Sequence, residues 1–260
     1  MMRSRMVIAA ALAGAAGFAT KSFAMGSSPA NGDWWTPLDH YCERMGPGFW
    51  AEPFNALTNL AFLIAAAAIF VRQRRDCLED KQLFVLALLT ASVGVGSFMF
   101  HTLANRWSLI ADIVPIALVI YSFLFVAMMR FLRLSVIFAG LLTATLLVLS
   151  PTLEAIAKPL LGSSATYAPG LIATFGVAFA VPLAGRGSMP WLLVTAGTIF
   201  SAALVFRILD APLCGSWSVG THFIWHLLNA VALGLALLSL ERLSPRGRGV
   251  SLSGPAPSGA

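Results

Sequence analysis

Charge is what this chain most lacks. Only 11% of its 260 residues are Asp, Glu, Lys or Arg, against about 25% in soluble globular proteins. With 58% hydrophobic residues and a mean hydropathy of +0.82, that deficit excludes a water-soluble domain. It also removes nucleic acid as a partner. The net charge of +6 is not spread over a basic face but collects in short clusters beside apolar runs, where Lys and Arg set membrane topology. Three cysteines are too few for a disulfide scaffold. Histidine is scarce too, at four, so the places where histidines stand carry weight.

What is present is a series of apolar runs. Seven stretches approach the ~20 residues needed to cross a bilayer, at about 53–71, 82–103, 108–129, 133–150, 168–184, 189–208 and 221–240. Their pattern predicts an all-α integral membrane protein, a seven-helix bundle over residues 53–241. Ahead of it, residues 25–52 are polar and aromatic and read as an extramembrane segment, with Trp34, Trp35, Phe49 and Trp50 as an interfacial belt. Residues 1–24 have a positive start (Arg3, Arg5), an apolar middle and a small-residue end, the layout of a cleavable bacterial-type signal peptide; a retained short helix is the alternative. The tail, 242–260, is rich in Pro, Gly, Ser and Arg and reads as disordered and cytoplasmic.

Basic residues set the orientation. Arg72, Arg74, Arg75 and Lys81 lie between the first two runs, Arg130 and Arg133 between the third and fourth, and Arg186 between the fifth and sixth. Arg242, Arg246 and Arg248 follow the seventh. The positive-inside rule then places the N-terminus out and the C-terminus in. For a signal-bearing bacterial chain this means the inner membrane, with the outer end of the bundle facing the periplasm.

Three histidines meet at that outer end. His222 and His226 stand at i and i+4 in the seventh run, one helical turn apart on one face. His101 closes the second run, with Ser97 a turn earlier and Asp112 soon after. Ionisable groups are costly inside a membrane and are functional hypotheses by default. Three neutral imidazoles with one open position are a catalytic zinc arrangement, in which bound water becomes acidic near neutral pH. A carboxylate beside it can carry protons, and a hydroxyl can donate to a developing oxyanion. Each residue also has a plainer role: a histidine or serine can simply hydrogen-bond within the bundle, and Asp112 can pair with Arg106 or Arg207. Cys42 and Cys214 both fall outside, where disulfides persist, and are expected to be bonded rather than left as two thiols. Asp39, Glu43 and Glu52 offer hard oxygen ligands that suit Ca²⁺, or else form an ordinary solvated loop.

These residues carry a family resemblance. The block YCERMGPGFWAEPFNALTN (41–59), the block GSFMFHTL (96–103) with Asp112 beyond it, and LDAPLC (209–214) followed by HFIWH (222–226) are similar to motifs of the alkaline ceramidases. That family belongs to a superfamily of seven-span zinc hydrolases that also holds the adiponectin receptors. The resemblance implies zinc on His101, His222 and His226, with Ser97 and Asp112 assisting water attack on an amide. It further implies a Cys42–Cys214 link and calcium-binding carboxylates at Glu43 and Glu52. The implied activity is hydrolysis of the N-acyl bond of ceramide or a ceramide-like membrane lipid. A zinc hydrolase of another amide or ester lipid, or a seven-span receptor with a structural zinc, are the alternatives.

Overall fold

A computed structural model describes residues 33–243. The signal-peptide expectation for residues 1–24 and the tail beyond Leu243 lie outside them. The chain forms helices α1 (Pro53–Thr58), α2 (Leu60–Arg75), α3 (Lys81–Leu103), α4 (Arg106–Phe131), α5 (Val136–Leu161), α6 (Ala168–Leu183), α7 (Trp191–Leu213) and α8 (His222–Glu241). A 3₁₀ segment, Gly162–Tyr167, lies between α5 and α6. Among the described residues there is no strand, only an isolated bridge between Pro37 and Asn105. The all-helical membrane expectation holds.

Among the described residues, six stretches are long and apolar enough to cross a membrane. One of them, Val136–Leu183, is 48 residues long and contains both α5 and α6. Many large apolar side chains point outward from these helices, among them Ile64, Val85, Leu141, Val148, Ile156 and Val231. In water this would be a severe liability, whereas against lipid tails it costs nothing.

Helices α2, α3, α4, α6, α7 and α8 pack in sequence around a ring, and α8 closes it against α2. Helix α5 lies outside the ring, touching α4 and α6 and burying only Ala139 and Ser150. It is also where the expected boundaries fail most. The apolar run was expected to end at 150, but α5 continues to Leu161 through Pro151 and Pro159. Each proline removes one backbone donor and crowds the preceding turn. On a peripheral helix only one face must pack, which leaves room for that distortion.

The two ends of the bundle differ in chemistry. At the end away from the histidines, Arg130 holds Asp80 with two hydrogen bonds of 2.6 Å, and Arg72 pairs with Glu241 at 2.8 Å. At the histidine end, the N-terminal segment lies across the mouth of the ring. Leu38 N–H donates to the Ala104 carbonyl at 2.7 Å, and Cys42 is bonded to Cys214, 172 residues away. Trp34, Trp35 and Trp50 remain exposed there, as a belt at a membrane surface requires.

Candidate metal centre

His101 sits two residues before the end of α3, and Asp112 lies in the second turn of α4. Two devices bring them level. Ala104 ends α3 in the left-handed region, with φ of +41°. Asn105 then starts α4 at once: its side chain accepts from Ser108 N–H at 3.0 Å, and Ser108 Oγ accepts from Asn105 N–H at 3.1 Å. Closer still is the contact at Gly96, where an added Cβ would lie 1.9 Å from the Ala111 carbonyl oxygen. Only glycine permits this approach, and it sets Ser97 against the Asp112 side chain.

His222 and His226 stand at the start of α8, and their placement depends on Asp210. This buried carboxylate accepts from Thr221 N–H at 2.7 Å and His222 N–H at 2.9 Å through Oδ1, and from Cys42 N–H at 3.1 Å through Oδ2. A negative group on free amides at a helix N-terminus is stabilising. Gly220 makes room for it: φ is +67°, and a Cβ there would fall 2.2 Å from Asp210 Oδ1. Cys42, Asp210 and Cys214 also cluster, but the sulfurs are joined and have no thiolate to offer a metal.

The three histidines converge. One nitrogen from each lies within 4.8 Å of the others, and all three rings are buried. Hydrogen bonds decide which nitrogens are free. His101 Nδ1 faces Glu52 Oε2 at 2.6 Å, which leaves Nε2, a buried atom without a protein partner. Thr58 Oγ1 donates to the Phe54 carbonyl at 2.7 Å, so its oxygen accepts from His226 Nδ1, 3.1 Å away, and Nε2 is the ring nitrogen that this bond does not use. His222 Nδ1 is buried and unpartnered, as is Asp112 Oδ1. Orphaned nitrogens on histidines that converge call for an unseen partner, and three imidazoles fit a borderline-soft transition metal.

Tyr41 roofs this cluster. Its ring stacks on His222 at 3.7 Å between centroids, and burial pushes its hydroxyl well above the ordinary range, so it remains neutral. Arg207, considered as a partner for Asp112, instead donates to Ser164 at 2.8 Å and lies over the Tyr167 ring. Below the histidines an apolar cavity runs into the bundle, lined by Val93, Ile116, Val119, Phe123 and Ala236, with Asn229 as a polar group.

The structure does not bring Asp39, Glu43 and Glu52 together. Asp39 is exposed. Glu43 accepts from the backbone N–H groups of Phe54 at 2.6 Å and Asn55 at 2.8 Å; burial holds its carboxyl above the ordinary value against the pull of these bonds. Glu52 is also buried, which raises its carboxyl, but His101, Asn55 and Arg44 together hold it below the ordinary value. Among the described residues, this trio forms no group of mutually close ligand atoms. Tyr41, Arg44, Thr58 and Asp210 are site residues that sequence reasoning missed. Their telling partners, His222 for Tyr41, the His101 carbonyl for Arg44, His226 for Thr58 and Cys42 for Asp210, lie 57 or more positions away, and no local spacing marks them.

The family model described as Ceramidase matches residues 40–248, a span that takes in every helix and the whole histidine cluster. No curated protein matches the chain.

Proposed function

The chain belongs to the ceramidase family, and on that premise we propose that it is an intramembrane zinc-dependent amidase. Its reaction would cleave the N-acyl bond of ceramide or a ceramide-like lipid, yielding a sphingoid-type base and a fatty acid. We read α5 and α6 as separate crossings, since a single 48-residue helix at 1.5 Å per residue would reach about 70 Å. That gives seven crossings, with the N-terminus out. In a bacterial inner membrane the site would face the periplasm.

The observation that carries this reading is the convergence of three buried histidines, one nitrogen from each within 4.8 Å of the others, with His101 Nε2 and His222 Nδ1 left without a protein partner. His101, His222 and His226 would hold the zinc. When bound, zinc supplies a Lewis acid and acidifies water in its open position. Asp112 Oδ1 would take a proton from the attacking water and return it to the leaving nitrogen as the C–N bond breaks. Ser97 would fix that carboxylate by donating to it and, once Asp112 carries the proton, turn its single O–H towards the oxygen on which charge develops. The cavity beneath has the apolar lining that a fatty chain needs, and Tyr41 helps keep bulk water off the cluster.

Lipid mass spectrometry of nanodiscs holding the full chain tests the proposal. Ceramide, an N-acyl amino lipid and an ester analogue would be supplied in parallel, with and without a zinc chelator. The expected result is equal release of base and fatty acid from ceramide, abolished by the chelator. Turnover of only another lipid would change the substrate and leave the chemistry. No turnover of any by zinc-loaded protein would leave a receptor with a structural metal.

A further inference from the structure

We infer that Arg44 is a built-in cation of the N-terminal segment: it takes the place that a calcium ion would fill and positions His101 through Glu52. The guanidinium is buried, at 8% exposure, and gripped by oxygens from three parts of the chain. Its Nε pairs with Glu52 Oε1, Nη1 donates to the Gly46 carbonyl at 3.0 Å, and Nη2 donates to the His101 carbonyl at 2.9 Å. One carboxylate and two backbone carbonyls are the oxygen types a hard divalent cation takes. Here a planar fork of N–H donors occupies them instead.

The remaining carboxylates do not restore a calcium site. Glu43 is engaged by two backbone amides, and Asp39 is exposed. A divalent ion entering beside Arg44 would meet a fixed positive charge in a buried place, which disfavours it strongly.

The fork also connects to the histidines. Glu52 Oε1 is held by Arg44, while Oε2 accepts from Asn55 Nδ2 at 3.1 Å and meets His101 Nδ1 at 2.6 Å. A carboxylate on the far nitrogen of an imidazole fixes its tautomer and rotation, and such partners are worth 10- to 100-fold in metal affinity. Arg44 therefore neutralises Glu52 and sets its angle, and ties the same residue's backbone through the His101 carbonyl. Arg44 and Glu52 are positioning residues. This last part rests on the proposed metal site at His101.

The experiment uses the full chain in nanodiscs. Calcium is added to 1 mM in zinc-buffered medium while thermal unfolding and radioactive calcium binding are followed. No shift in midpoint and no saturable binding are expected; saturable binding with a raised midpoint would overturn the calcium substitution. Zinc loss to a chromophoric chelator is then timed in Arg44→Ala, Arg44→Lys and Glu52→Gln. Arg44→Ala should lose zinc roughly 10- to 100-fold faster, with Arg44→Lys intermediate. Millimolar guanidinium should slow the loss in Arg44→Ala but not in Glu52→Gln, a rescue that general loosening by a denaturant cannot mimic. If Arg44→Ala does not fold, the other two variants decide. Wild-type zinc retention in both would refute the positioning role. A wild-type chain that binds no zinc would instead remove the metal reading and leave the calcium arm to judge Arg44.

Discussion

Gly96→Ala tests the link between helix packing and chemistry most directly. The added methyl would lie 1.9 Å from the Ala111 carbonyl oxygen and 2.7 Å from its carbon. Real Cβ contacts essentially never fall below 3.0 Å, so α3 and α4 must part locally by at least about 1.1 Å, the difference of those two values. Both obstructing atoms are backbone and cannot swing aside. Overpacking of this kind costs about 1–3 kcal/mol in stability, and a misplacement near 1 Å can cost on the order of 10²-fold in rate. Ser97 and Asp112 flank the contact, while His101 lies a full turn beyond it and is held separately by Glu52. The variant should therefore keep its zinc and lose turnover roughly 10²-fold, with a lowered melting midpoint. Single-turnover hydrolysis of an N-acyl lipid in nanodiscs, with metal analysis of the same sample, measures both. Gly140→Ala is the control, since a Cβ there meets nothing within 4 Å and a helical Gly→Ala change is neutral to stabilising. Near-normal turnover by folded Gly96→Ala would refute the claim that the α3–α4 approach sets the Ser97–Asp112 geometry.

Three further outcomes are expected. Asp112→Asn keeps the size of the side chain but not its basicity, so hydrolysis should fall about 10²–10⁴-fold while zinc stays bound; undiminished hydrolysis would remove the proton-carrying role. The His222→Ala/His226→Ala double variant should contain no stoichiometric zinc by metal analysis, because one remaining ligand cannot hold it. Asp210→Asn puts an amide in place of a carboxylate that accepts three backbone N–H groups. It should cost about 1–3 kcal/mol in unfolding measurements, and an unchanged midpoint would show that α8 is placed without it.

The apolar helices and the histidine cluster were legible because each has a local signature. Hydropathy placed the starts of α3, α6 and α8 within a residue of those observed, and the i, i+4 spacing put His222 and His226 on one face. What was not legible is long-range. Nothing near Arg44 in the sequence announces a bond to the His101 carbonyl, and nothing near Asp210 announces that it caps a helix beginning twelve residues later. The acidic trio suggested a calcium site by composition and, at Glu43 and Glu52, by the family resemblance. Composition does not reveal that a neighbouring arginine and two backbone amides already engage two of its members. Helix α5 runs past the expected end at 150 through Pro151 and Pro159, which a peripheral helix with one packed face tolerates.

The ring is closed by its first and last long members, α2 and α8, and this dictates when the protein can become active during its synthesis. His101 and His226 are 125 residues apart in the chain. At translation rates of 5–20 residues per second, roughly 6–25 s separate the appearance of the two. Throughout that interval the nascent chain holds Asp112 and Glu52 in the membrane boundary without the imidazoles that complete the cluster. The bond from Cys42 to Cys214 must wait as well, since its second half emerges only just before α8. Oxidation thus waits for Cys214 and any metal loading for the final helix just after it, and a chain released before His222 lacks two of the three clustered imidazoles.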